Sequence, residues 1–128
     1  MKLESIPFVS IVIPTTGNVK FIKGLVESVS KLDYPKDKFE LILIGDEETE
    51  LLSLNSKRAK EYGIKTTVKY EPFAAGKKRN IGVELAKGEI IAFTDDDTIL
   101  KEDWIINAVR HLNDNNEYVG VGGPNFTP

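Results

Sequence analysis

Three consecutive carboxylates, Asp95, Asp96 and Asp97, are the strongest chemical signal in the sequence. They directly follow residues 89–94, an apolar and β-branched run that predicts a buried strand. Adjacent carboxylates repel one another, whereas Mg²⁺ and Mn²⁺ take oxygen ligands, often one or two carboxylates plus substrate phosphates. The triplet therefore indicates a site for a divalent cation and a diphosphate. The alternative is that Asp97 or Thr98 simply caps the helix that follows.

A basic cluster, Lys77, Lys78 and Arg79, precedes Asn80 at the start of a predicted helix. Basic residues in a first turn oppose the helix dipole, although the free N–H groups there bind anions. This unfavourable placement suggests a nearby anion such as a diphosphate, which Arg could grip with a bidentate fork. Gly82 costs the helix about 1 kcal/mol relative to alanine, which indicates close packing or close ligand approach. The alternative is a solvated basic face, with Gly82 serving helix–sheet packing.

Polar groups also follow the first two predicted strands. Pro14, Thr15 and Thr16 end the first strand, where hydroxyls and a flexible backbone would line a nucleotide pocket. A simple turn is the alternative there. Asp46 ends the second strand, and its carboxylate can accept a hydrogen bond from a base N–H or a ribose hydroxyl. A solvated turn residue is the alternative for Asp46.

Alternating strand and helix patterns must position these groups. Strands are predicted at residues 8–13, 39–44, 64–70, 89–94 and 118–121, and helices at residues 18–31, 50–62, 74–87 and 101–113. Gly63 and Gly88 are predicted to stop the second and third helices. This order predicts an α/β fold, with a mainly parallel sheet, helices on both faces and right-handed crossovers. Ligands of such sheets bind beyond the carboxyl ends of the strands, where the polar groups lie.

Composition limits the remaining classes of protein. The 128 residues suit one domain, residues 1–128, and 17 basic against 20 acidic residues argue against a nucleic-acid partner. The absence of cysteine excludes disulfide scaffolds and cysteine-based zinc sites. The first residues do not resemble a signal peptide, and no apolar run reaches the ~20 residues that cross a bilayer. We therefore expect a cytoplasmic protein.

Together these segments resemble the family 2 glycosyltransferases. Residues 9–15 resemble the family's opening strand, and residues 40–46 its second strand and acidic turn. Residues 76–82 are similar to the segment "ARNxG", and residues 86–97 to "A-x-G-E-x-I-x-F-x-D-x-D", which carries the metal-binding DxD. Trp104 stands where these proteins often have a tryptophan. The joint order and spacing, over essentially the whole chain, carry the resemblance.

The resemblance implies a Rossmann-like GT-A fold, a nucleoside-diphosphate sugar donor, and Mg²⁺ or Mn²⁺ as cofactor. It also implies inverting transfer of the sugar to an acceptor hydroxyl, with UDP the more frequent nucleotide. Asp97 matches the principal metal ligand, whereas Asp46 and Thr15 match positions that contact the base and ribose. The implied donor-binding residues are Pro14, Thr15, Thr16, Asp46, Lys77, Lys78, Arg79, Asn80, Asp95 and Asp96, and the implied metal ligands are Asp95 and Asp97.

The acceptor stays open among a saccharide, a lipid and a protein, and any membrane association would come from regions outside this sequence. Gly45 stands where the family often has the first of two aspartates, and Thr16 where a tyrosine is frequent. Family members usually continue well past residues 122–124, and their catalytic base lies in that later part. We therefore expect a truncated, donor-binding portion that binds nucleotide with metal but transfers sugar poorly, and we assign no catalytic residue.

Two other functions are compatible with parts of the sequence. Residues 93–98 nearly fit the D-x-D-x-T motif of haloacid-dehalogenase-like phosphatases. However, Thr98 comes one position too early, and too little chain follows it for the later motifs of that fold. A non-catalytic nucleotide-binding module is the second alternative.

Overall fold

The computed structural model of the protein describes residues 6–15, 21–72 and 74–114. The strands are β1 (Val9–Pro14), β2 (Phe39–Gly45), β3 (Lys65–Tyr70) and β4 (Ile90–Phe93). The helices are α1 (Ile22–Ser30), α2 (Glu50–Glu61), α3 (Ala75–Leu85) and α4 (Trp104–Asp114), and a single 3-10 turn, Lys36–Lys38, precedes β2. Strands and helices alternate along the chain, as the sequence predicts.

The four strands form one parallel sheet in the order β3-β2-β1-β4. Every residue of β1 and β2 is buried, because both strands are internal and have helices on each face. Their apolar, β-branched sequences suit such positions. The edge strand β3 instead alternates between exposed and half-buried residues. The predicted mainly parallel sheet is therefore confirmed.

Helices cover both faces of the sheet, also as predicted. The larger core packs α1, α2 and α4 against alternate residues of β1 and β2, such as Ile11 and Leu41. The smaller core packs Ile81 and Leu85 of α3 against Val12, Ile42 and Ile44 on the other face. Helix α3 is thus alone, among the described helices, on its side of the sheet.

The strand order reverses beside β1. From β1 the chain proceeds outward through β2 to β3, then crosses by α3 to place β4 on the other side of β1. Open α/β sheets bind ligands in the crevice at such a reversal, outside the carboxyl ends of the strands. The sequence that follows β1 and the sequence that follows β4 therefore flank the natural binding crevice of this fold.

Most element boundaries agree with the sequence prediction within a few residues, and three points differ. Helix α3 ends at Leu85, three residues before Gly88. Gly88 also lacks the left-handed backbone of a helix stop, since Gly63 (φ 84°) is the one glycine with that conformation among the described residues. Helix α1 begins at Ile22, later than the predicted residue 18. Helix α4 begins at Trp104. The predicted fifth strand, residues 118–121, lies outside the described residues.

Gly88 has a different role from the predicted helix stop. A Cβ there would lie 2.7 Å from the backbone nitrogen and from Oγ of Ser10, so the loop after α3 approaches β1 closely. The backbone N–H of Gly88 donates to Ser10 Oγ (2.8 Å), and Ser10 Oγ donates to Glu40 Oε2 (2.6 Å). The buried Glu40 carboxylate also accepts from the backbone N–H of Lys87 (2.8 Å). These contacts anchor the end of α3 to the two central strands.

Within the part of the chain that the structure describes, no helix has the length and apolar character needed to span a membrane.

Candidate functional site

Thr15, the residue after β1, connects three elements at the carboxyl edge of the sheet. Its backbone N–H donates to the carbonyl of Ile44 in β2 (2.8 Å). Its hydroxyl donates to Asp96 Oδ2 beyond β4 (2.7 Å), and its carbonyl accepts from Lys78 Nζ of α3 (2.7 Å). Thr15 is almost completely buried, with 1% of its surface exposed. The first strand end and the acidic triplet therefore meet, as the predicted binding crevice requires.

Lys78 joins the second strand end to the same cluster. Its ammonium group donates to Asp46 Oδ1 as well as to the carbonyl of Thr15. The Lys78 side chain is 3% exposed, whereas that of Asp46 is 38% exposed. A buried ammonium must be paired, and here both partners are strand-end oxygens. The Asp46 carboxylate is consequently held at the rim of the crevice while remaining open to solvent.

The acidic triplet forms a turn after β4. The backbone N–H of Thr98 bonds to the carbonyl of Asp95 (3.4 Å), and helix α4 begins only at Trp104. Asp97 and Thr98 are therefore too far upstream to cap that helix, and the alternative interpretation of the triplet is wrong. Asp95 is exposed, whereas Asp96 and Asp97 are half-buried.

Arg79 extends from α3 toward this turn. Its guanidinium Nη2 lies 3.5 Å from Asp95 Oδ1, and the two side chains are 41% and 68% exposed. Such a long, exposed ion pair contributes little to stability, because solvent screens it. The pair places a guanidinium group beside an exposed carboxylate. An anionic ligand could therefore bind the guanidinium group while its cation binds the carboxylate.

The carboxylates near this edge do not form a complete metal cage. Within the described residues, no three Asp, Glu or His side chains converge as a metal-binding group. The oxygen donors of Asp95 and Asp97 nevertheless suit Mg²⁺ or Mn²⁺, which often use one or two carboxylates and complete their coordination with water and substrate phosphates. The residues therefore fit a cation that arrives with a phosphorylated ligand.

Two glycines fix the backbone distances around the site. A Cβ on Gly45 would lie 2.7 Å from Leu52 Cδ2, so a larger residue at the end of β2 would require the Leu52 side chain to move. A Cβ on Gly82 would lie 2.2 Å from Val12 Cγ1. Gly82 therefore lets α3 approach β1 closely, as the helix–sheet interpretation predicts, and this brings Lys78 within reach of Thr15.

The remaining predicted residues are spread around the cluster. Pro14 is buried as the last residue of β1, and Lys77 and Asn80 are exposed on α3. Thr16 lies outside the described residues. Sequence reasoning did not single out Thr94, whose hydroxyl is buried without a hydrogen-bond partner in the described part of the chain. No local pattern distinguishes Thr94 from an ordinary strand threonine.

The family model "Glycosyl transferase family 2" matches residues 10–126. The chain belongs to glycosyl transferase family 2. The crevice of this family 2 chain thus combines strand ends, acidic turn and basic helix in one cluster.

Two similar proteins illustrate the family, and one of them, TarS, matches both as a curated sequence and as a solved structure. A poly(ribitol-phosphate) beta-N-acetylglucosaminyltransferase, TarS of Staphylococcus aureus, is 27% identical over 112 residues, covering 86% of this chain and 20% of the relative. A mannosyltransferase of Pyrobaculum calidifontis, solved with GDP-Man and Mn²⁺, is 26% identical with a TM-score of 0.76, over 88% of this chain and 34% of that one. The S. aureus TarS structure with UDP has a TM-score of 0.75 at 23% identity, and the match covers 91% of this chain and 38% of that one.

The structural matches establish the GT-A fold expected from the resemblance. The chain spans about a fifth of the length of TarS and about a third of the mannosyltransferase chain. The family match also favours a glycosyltransferase over the phosphatase alternative.

Proposed function

We propose that this chain binds a nucleoside-diphosphate sugar, with UDP as the nucleotide, as the donor-binding part of an inverting glycosyltransferase. The observation that carries the proposal is the meeting of three strand ends. Asp46, Thr15 and the acidic triplet lie in one hydrogen-bonded cluster at the strand-order reversal.

The proposed orientation of the donor follows from the chemistry of the two ends of this cluster. Asp46, half-exposed at the rim, accepts a hydrogen bond from an N–H of the base or from a ribose hydroxyl. Arg79 faces the diphosphate with its guanidinium fork, beside the exposed Asp95. Lys77 and Asn80, exposed on the same helix, would add contacts to the diphosphate.

Asp95 and Asp97 are the proposed ligands of Mg²⁺ or Mn²⁺. When bound, the cation would neutralise the charge that develops on the departing diphosphate. The protein's own contribution is to hold the diphosphate with Arg79 and to keep Asp96 in place through the Thr15 hydroxyl. That a structural relative was solved with GDP-Man and Mn²⁺ supports this cofactor class. The acceptor would supply the hydroxyl that attacks the sugar, with a carboxylate base outside the described residues.

Calorimetric titration of the 128-residue chain tests the proposal. UDP, GDP and CDP would each be titrated with and without Mn²⁺, and UDP with Mn²⁺ is expected to bind most tightly. Asp97→Ala should weaken the Mn²⁺-dependent binding by at least about tenfold. This is the change in affinity expected when one interaction with a charged group is lost. Asp37→Ala is the matched control. Asp37 is exposed and directly precedes β2, so it lies at the amino end of the strands, away from the site.

Three results would count against the proposal. The parent chain could bind no nucleotide, it could bind equally well without Mn²⁺, or Asp97→Ala could bind as the parent does. Tighter binding of GDP than of UDP would instead retain the donor class and overturn the choice of base.

A further inference from the structure

Lys78 differs from the other basic residues of α3 in being buried. Its neighbour Lys77 is exposed and Arg79 is half-buried, whereas the Lys78 side chain is 3% exposed. Both hydrogen bonds recorded for its ammonium group go to strand-end oxygens, the carbonyl of Thr15 and the carboxylate of Asp46.

Stability alone does not account for this arrangement. Burying the Lys78 ammonium costs several kcal/mol, and its attraction to Asp46 is weakened because that carboxylate is 38% exposed to solvent. A cation near the start of a helix is additionally opposed by the helix dipole. What the pair does supply is geometry, because it ties Asp46 to the β1 terminus through the ammonium of a helix on one face of the sheet.

The same ties reach the acidic turn. Thr15 receives Lys78 at its carbonyl and donates its hydroxyl to Asp96 Oδ2 (2.7 Å). Asp46, Lys78, Thr15 and Asp96 therefore form one chain of hydrogen bonds across β2, β1 and β4. These hydrogen bonds fix the distance between Asp46 and the acidic triplet, so a ligand that contacts both depends on them.

We propose that Lys78 is a positioning residue that fixes the Asp46 carboxylate for recognition of the nucleobase. The inference rests on the proposed function, in which Asp46 accepts from a base N–H. Uracil offers such a donor at N3, whereas neutral cytosine offers an acceptor there. Lys78 thus determines how strongly the site prefers UDP to CDP, and it does so without touching the nucleotide.

The test is the ratio of UDP to CDP affinity, measured calorimetrically with Mn²⁺ in the parent, Lys78→Met and Lys57→Met chains. Lys78→Met should lower the ratio about tenfold, because one charge-assisted hydrogen bond to the base is lost. Lys57→Met removes the same charge from an exposed position on α2, on the other face of the sheet, and should leave the ratio unchanged.

A second variant guards against a simple loss of folding. Asp46→Ala/Lys78→Met removes both charges and leaves no side-chain donor or acceptor for the base, so it should unfold in urea no earlier than Lys78→Met and should show the same lowered ratio. A retained ratio in Lys78→Met, whether both affinities stay or fall equally, would overturn the positioning role while leaving the proposed function intact. A parent that binds neither nucleotide would overturn the proposed function and the inference with it.

Discussion

Replacing Gly82 by alanine is expected to destabilise the protein, although alanine is the better helix former. The substitution gains up to about 1 kcal/mol in helix propensity. The added methyl group would, however, lie 2.2 Å from Val12 Cγ1, where ordinary contact begins at 3.4 Å. Val12 is fully buried at the centre of the smaller core, so it has little space into which to move.

The magnitude follows from these two opposing effects. Overpacking a well-packed core costs roughly 1–3 kcal/mol, and most of this range lies above the gain in helix propensity. Subtracting the gain leaves an expected net loss of about 1 kcal/mol in the free energy of unfolding, within a range of roughly 0–2 kcal/mol. For a chain of this length such a loss lowers the melting temperature by about 5 °C.

Urea unfolding followed by the fluorescence of Trp104, the single tryptophan, measures the change. Gly76→Ala is the matched control on the same helix, because a Cβ there meets nothing within 4 Å. It should be as stable as the parent or slightly more stable. Val12→Ala should relieve the overlap, so Val12→Ala/Gly82→Ala should lose less stability than the two single changes added together, by about 0.5 kcal/mol or more.

The site offers a second readout of the same change. Lys78 lies one turn before Gly82, and its hydrogen bond to the Thr15 carbonyl depends on the separation of α3 from β1. Gly82→Ala should therefore weaken nucleotide binding as well. If Gly82→Ala and Gly76→Ala were equally stable, with additive effects in the Val12 double variant, the argument from close packing would be refuted.

Two further predictions concern buried polar groups away from the site. Burial, and to a smaller degree the charge of Glu89, raises the pKa of Tyr34 to about 12, and the Tyr34 hydroxyl donates to the carbonyl of Pro7. Because this pKa is above the ordinary value of 10, the contribution of Tyr34 to stability is complete below pH 10 and lost as the pH rises toward 12. Tyr34→Phe should lack this loss, and parallel urea curves at pH 8 and pH 11.5 would reveal an error if both chains weakened equally. Glu40→Ala should cost about 2–4 kcal/mol, since it leaves the Ser10 hydroxyl and the Lys87 N–H without their acceptor. Glu40→Gln keeps an acceptor oxygen and should cost less in the same urea assay, and equal losses would contradict this explanation.

Local sequence determined the elements and the chemical character of their ends. The largely apolar, β-branched runs of β1 and β2 predict buried parallel strands because they lack the regular polar alternation of a half-exposed strand. Gly63 ends α2 in a left-handed conformation that side chains disfavour, and this stop was predicted. The acidic triplet directly follows a predicted strand, and this position alone predicts that it lies at the ligand edge.

The tertiary structure decided which of these groups contact one another. Thr15 and Asp96 are 81 residues apart, and Lys78 and Asp46 are 32 apart. Their pairing requires β4 to lie beside β1 and α3 to cross the opposite face, and strand order is not encoded in the periodicity of any single segment. Gly88 illustrates the same limit, because its pattern predicts a helix stop whereas its position against Ser10 makes it a close contact between loop and strand. Hydrophobic periodicity selects which face of an element is buried, but the neighbours of that face are set by the packing of the whole sheet.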